Sequence, residues 1–140
     1  MAKIKIRGFE EHVTIPVKVD LLDDEVKLKV QYKRIDKQQM EKIVKDASER
    51  ATEARDLQTK KILSKDPEEI DKIDKRINEL DELGTQLLLD RVVSWSEFED
   101  EDKEEVPFSE EMLKLLLGHP AYLMAFDQGM WQATGAAIKN

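Results

Sequence analysis

The residues of this chain that could do chemistry are two histidines, a dense run of carboxylates and a small set of aromatic rings. His12 follows Glu10-Glu11, and His119 stands between Gly118 and Pro120. Neither has a second histidine at the short helical spacing that metal ligation uses. The sequence has no cysteine, so this chain can form no disulfide, thiolate zinc site, iron–sulfur cluster or cysteine nucleophile. No Gly-x-Ser-x-Gly elbow, glycine-rich phosphate loop or dinucleotide fingerprint occurs. From Ser94 to Glu111 nine acids stand against one base, Lys103. Carboxylate pairs can serve acid–base catalysis, but in so uniform a run no pair is set apart for it. The run also lacks the Asp-x-Asp-x-Asp-Gly spacing of a calcium loop. The expectation is a protein that is not an enzyme and needs no cofactor or metal, with these acids forming a solvated, mobile connector.

The aromatic rings point to contact surfaces. Six of eight fall after residue 94: Trp95, Phe98, Phe108, Tyr122, Phe126 and Trp131. Aromatic anchors are common both in cores and at binding hot spots. Trp95 and Phe108 flank the acidic run and are expected to anchor the C-terminal helices. Trp131 lies off the stripe made by Tyr122, Leu123, Phe126 and Met130, which makes it the better candidate for an exposed contact. The partner-binding candidates are therefore Trp131, Tyr122, Phe126, Met130, Trp95 and Phe108.

Elements of three kinds must position these residues. Over residues 1–35 apolar and polar residues alternate: Ile4 and Ile6, then Val13 to Val19, then Val26 to Tyr32. That period predicts half-buried strands in a small N-terminal antiparallel sheet or hairpin. Leu21 to Glu25, with three acids in a row, turns the chain between the two longer strands, and Pro16 implies a strand that is an edge or locally bulged. The lysines on the polar face read as guards of that edge. Over residues 36–93 the period becomes helical. Asp36 is a candidate N-cap, and Met40, Val44, Ala47, Ala51 and Ala54 form a thin seam. Asp66 and Pro67 restart a helix whose seam runs through Ile70, Ile73, Ile77, Leu80, Gly84 and Leu87. Two long helices with a short connection predict an antiparallel hairpin, with Ala47, Ala51 and Ala54 facing Ile73 to Leu80. Residues 94–140 hold the acidic connector and two further helices. One starts at the Ser109 cap and stops at Gly118; the other starts at Pro120. Gly129 and Gly135 predict a tail that is weak alone, at about 1 kcal/mol each against alanine. The fold class is thus α+β, one domain in three consecutive segments.

Charge bounds the partners. Acids outnumber bases 31 to 23, and the formal charge of −8 equals that of the Ser94–Glu111 window alone. A chain so acidic is a poor match for nucleic acid. No apolar run approaches the roughly 20 residues of a membrane span, and the alternating start does not read as an export signal. A reducing cytoplasm fits the lack of cysteine.

One segment carries a family likeness. Val92-Val93-Ser94-Trp95, the acidic spacer, and then Val106-Pro107-Phe108-Ser109-Glu110-Glu111-Met112 with the following leucines resemble the tail assembly chaperones of tailed bacteriophages. The order of parts is similar too, with an N-terminal β segment ending in Tyr32-Lys33-Arg34, then helices, the motif and a closing helix. The resemblance implies a non-enzymatic protein in the host bacterial cytoplasm, absent from the mature virion. It would bind the tape-measure protein, keep its apolar helices in solution, and help recruit the tail-tube protein. The alternative from the residues themselves is a structural or adaptor protein that self-associates through the helical hairpin and has no chaperone activity. An acidic decoy mimicking nucleic acid fits less well, because the acids crowd one loop instead of running along helix faces.

Overall fold

The structure, a computed structural model, describes residues 11–138 and their side chains as far as Gly135. The strand expected around Ile4 and Ile6 lies outside the described residues. Along the chain come β1 (His12–Asp20), β2 (Glu25–Lys33), α1 (Lys37–Leu63), α2 (Pro67–Arg91), β3 (Val92–Ser96), α3 (Glu110–Leu117) and α4 (Pro120–Ile138). The fold is α+β, as the alternating and then helical periods predict. The residues group into two compact units in place of three consecutive segments of one domain. One unit joins the segment through Asp36 to Leu88 and everything beyond it; the other is 37–87.

The first unit is a sheet in the order β1-β2-β3. β1 and β2 pair antiparallel without interruption from His12↔Lys33 to Asp20↔Glu25. The chain reverses at Leu21–Asp24, where the Leu21 amide donates to the Asp24 carbonyl at 2.8 Å. Ile15, Val17, Val19, Leu28, Val30 and Tyr32 point to one buried face, and Lys18, Lys27, Lys29 and Lys33 to the exposed one. Pro16 sits on β1, an edge among the described residues, where its missing donor leaves no gap in a ladder.

The periodicity gives no sign of β3. This five-residue strand pairs antiparallel with β2, Val30↔Trp95 and Tyr32↔Val92, with a bulge that takes up Val93. Its partner is some 60 residues away, and Val92 and Val93 read equally well as the end of a helix. Helix α4 covers the apolar face of β1 and β2, and α3 packs against α4. Phe126, Met130 and Ala133 complete the core there.

The second unit is the antiparallel hairpin of α1 with α2. Asp66 caps α2 by accepting the Glu68 amide at 3.0 Å, with Pro67 as the first helical residue. Ser64 joins the same turn, accepting from the Asp66 amide and donating to Glu69. Glu53–Arg76 and Lys61–Asp74 ion pairs link the two helices. Of the two seams, that of α2 is buried at Ile73 and Leu80. The seam of α1 needs correction. Val44 is 45% exposed and Ala51 is exposed, so neither faces α2. Half-buried are Met40, Ile43, Ala47, Arg50, Ala54, Leu57 and Lys61, in alternating steps of three and four, with Asp46 and Glu53 beside them. Met40, Ala47 and Ala54 of the expected seam are kept, and Ile43 and Arg50 take the places of Val44 and Ala51. The sequence admits both registers because Ile43 and Val44 are adjacent and equally apolar. Among the described residues, no helix is long and apolar enough to cross a membrane.

Candidate contact surface

The motif from Val92 to Met112 closes into one packed assembly. The Trp95 side chain enters the core from β3 and meets Phe98, Phe108 and Phe126 edge to face, with centroids 5.5, 4.8 and 6.2 Å away. Its indole N–H donates to the Val106 carbonyl at 2.8 Å. That bond ties the two ends of the acidic run together. Between them the chain makes a short antiparallel bridge, Glu99↔Glu105, and the Val106 amide donates to the Phe98 carbonyl at 2.7 Å. Asp100 holds the tip, its Oδ1 accepting the amides of Asp102 and Glu104 at 2.9 and 3.0 Å. Lys103, at φ 63°, turns the backbone through the left-handed region. The connector expected to be mobile is therefore a tight, hydrogen-bonded loop pinned by buried Phe98. Self-satisfaction through Asx turns is what aspartate offers a reversing chain. Among the described residues, no group of three His, Asp or Glu side chains is arranged to hold a metal ion.

Beyond the loop, Ser109 caps α3 by accepting the Met112 amide at 3.0 Å. At the α3–α4 corner the Ala121 amide donates to His119 Nδ1 at 3.2 Å, so this histidine serves as a helix cap. Gly118 closes α3 and Pro120 opens α4, both as the sequence predicts.

The six candidate contact residues divide. Trp95, Phe126 and Met130 are buried at 6%, 0% and 1% exposure. They are core residues, which corrects their reading as a contact surface: a partner could reach them only by opening the sheet–helix core. Tyr122, Phe108 and Trp131 are half-buried. Tyr122 contacts Phe98, Phe126 and His119 at ring-centroid distances of 6.2, 6.5 and 5.6 Å, and burial pushes its phenol up from the ordinary value. Trp131 is not the fully exposed ring that its place off the stripe implies. It still lies on the side of α4 away from the sheet, seven residues and thus two turns from Met124. Met124 is 64% exposed, and Leu115 on α3 is 70% exposed.

Met124 and Leu115 escape notice in the sequence because each sits inside an apolar run. Only the helix orientation turns them outward, and α4 is oriented by small residues. Ala125, Gly129 and Ala133 recur every four positions on the buried side, letting the helix lie close to the sheet. A Cβ on Gly129 would collide with the Tyr32 hydroxyl and come within 3.0 Å of Val17. The Tyr32 hydroxyl donates to the Phe126 carbonyl at 2.8 Å beneath the helix. Gly129 is thus a close-approach residue, and α4 runs unbroken through it instead of weakening there. Among the described residues of the first unit, the large apolar side chains left exposed are Leu22 in the β1–β2 turn, Leu115 on α3 and Met124 on α4, with Trp131 half-buried two turns from Met124. Such a set can hold the apolar side of another chain. Comparison with protein-family models, with curated proteins and with solved structures found no match.

Proposed function

We propose that this chain is a tail assembly chaperone of a tailed bacteriophage, working in the host cytoplasm and left out of the finished virion. It holds the apolar helices of the tape-measure protein in solution and helps bring tail-tube subunits to them. The observation that carries the reading is the motif from Val92 to Met112. Its valines, tryptophan, acidic run, Val106-Pro107-Phe108 and helix-starting Ser109 occur together and in order. The contact between Trp95 and Val106 gives a physical reason for them to travel as one unit. The exposed Met124 and Leu115 support the same reading. A holdase needs apolar side chains that a client helix can cover, and enough like charge to keep the complex dispersed.

Co-expression of the full chain with a phage tape-measure protein tests this. The expected result is a soluble complex recovered by tag on either protein. Met124→Asp should fold normally and weaken capture at least about tenfold, or roughly 1.4 kcal/mol. A tape-measure protein that aggregates equally with and without this chain would overturn the reading.

A further inference from the structure

The helical hairpin has two unlike flanks. At roughly 100° per residue, Glu53 on α1 falls to one side of the contact line with α2, and Val44, Ala51 and Ile62 fall to the other. On α2, Arg76, Glu79 and Leu83 lie on the Glu53 side, while Ile70, Ile77 and Asp81 lie toward the Val44 side. The first flank is bridged by an ion cluster, Arg76 donating to Glu53 at 2.6 and 3.1 Å and to Glu79 at 2.9 Å, and its one large exposed apolar side chain is Leu83, at 50%. The second flank is crossed by one ion pair, Lys61–Asp74 at 2.7 Å near the turn, and along α1 it is otherwise open and carries more exposed apolar surface. Val44 is 45% and Ile62 is 81% exposed, Ala51 is exposed, and Ile70 and Ile77 are half-buried. No residue of the 27-residue α1 is fully buried. A helix of this kind takes most of its stability from packing, and one neighbour covers only part of an apolar stripe this wide.

From this flank we infer that two copies of the chain associate face to face through the Val44–Ile62 side of the hairpin, forming a four-helix bundle. Charge selects a second copy as the occupant. Exposed Arg55 lies on the apolar flank of α1, and exposed Asp81 on that of α2. A two-fold arrangement that lays each α1 on the other copy's α2 sets these opposite charges toward each other twice. An unrelated amphipathic helix would match the apolar strip but not that reciprocal pattern. The net charges agree. Residues 37–87 hold eleven bases and thirteen acids, a net −2, while the rest of the chain carries −6. Two copies meeting at the hairpin therefore bring together the segments that repel least.

Sedimentation equilibrium of the full chain reads the outcome directly, with far-ultraviolet circular dichroism to follow helix content. The full chain should sediment as a dimer at about 100 μM, and Val44→Glu with Ile62→Glu should weaken association at least roughly 100-fold while helix content is kept. Arg55→Glu leaves the apolar surface unchanged and should weaken it at least about tenfold. Leu83→Glu, on the Glu53–Arg76 flank, should leave the dimer intact. A monomer at that concentration, a dimer indifferent to Val44→Glu with Ile62→Glu, or equal loss in Leu83→Glu would each overturn the proposal. A monomer would instead leave the flank to a helix of another protein. The inference does not rest on the chaperone reading, since a dimer that captures no tape-measure protein would leave it standing.

Discussion

Tyr32 and Gly129 are coupled through one contact, and they show how a residue can be misread without its neighbour. Glycine in a helix reads as weakness, at about 1 kcal/mol against alanine. Here the missing side chain is what lets α4 lie on the Tyr32 ring while the hydroxyl reaches the Phe126 carbonyl. Gly129→Ala should therefore lower stability by about 1–3 kcal/mol through overpacking, despite its better helix propensity. Tyr32→Phe should cost about 0.5–1.5 kcal/mol for the lost hydrogen bond. Combined, they should cost less than their sum, because removing the hydroxyl relieves the worst of the collision. Additive losses in chemical denaturation would mean that the ring and not the hydroxyl limits the approach. The same burial sets a pH dependence. Desolvation raises the Tyr32 phenol well above its ordinary value of 10.0, with a smaller push from Asp127. A group whose folded pKa is raised contributes stability that is whole below the unfolded pKa and is lost as pH climbs toward the folded one. Stability should thus fall above about pH 10, and Tyr32→Phe should flatten that decline. Tyr122 is also raised by burial. Tyrosinate absorbance should therefore appear together with unfolding; appearance well before it would show that both rings ionise in the folded protein.

Helices α2, α3 and α4 begin where local chemistry says they should, and that much was legible. Asp66-Pro67, Ser109 and Pro120 are start signals that need no tertiary context. Ser109→Ala should cost about 1 kcal/mol, within the range of about 0.5–2 seen for lost caps, because the Met112 amide then loses its acceptor. The check is a denaturation midpoint together with amide exchange at Met112; an unchanged midpoint would mean that water replaces the hydroxyl at no cost. β1 and β2 were legible for a similar reason, since alternation over nine residues each fixes which face is buried. The face of α1 was not. Its apolar residues are spread widely enough to fit two registers, and only the placement of α2 decides between them. β3 was not legible either, because a five-residue strand whose partner is distant leaves no local period. At the contact surface, sequence singled out Trp131 by its place off a stripe but missed Met124 and Leu115. The direction of α4 depends on the Ala125–Gly129–Ala133 spacing, which reads as helix weakness until the sheet is beside it.

The first unit is discontinuous in sequence, with residues 37–87 forming the second, and a buried arginine holds the first unit's two stretches together. Arg91 ends α2 and Lys33 ends β2, so these two residues lie close to where the chain leaves the first unit after Asp36 and re-enters it at Leu88. Arg91 is 3% exposed. Its Nε and Nη2 donate to the Lys33 carbonyl at 3.1 and 2.9 Å, and its Nη1 donates to the Thr134 hydroxyl on α4 at 3.2 Å. Thr134 in turn donates to the Met130 carbonyl at 2.9 Å. One side chain thereby joins the end of β2, the start of β3 and the helix that covers the sheet. Nothing in the sequence marks Arg91, since an arginine in the last turn of a helix reads as a favourable charge near the C-terminal end of the dipole. The planar guanidinium serves two acceptors in different directions, which a single ammonium cannot do. Arg91→Lys should therefore lose most of the clasp although the charge is kept, at about 1.5–3 kcal/mol for charged hydrogen bonds broken in a buried setting. Chemical denaturation followed by near-ultraviolet circular dichroism, which reports the packing of Trp95, gives the measurement. The expected result is a lower midpoint, with the strand and α4 signals lost together. A midpoint equal to that of the parent chain would show that the Lys33 carbonyl and Thr134 find other partners. The joining of the two stretches of the sheet unit would then rest on the buried apolar side chains of Leu88, Val92 and Trp95.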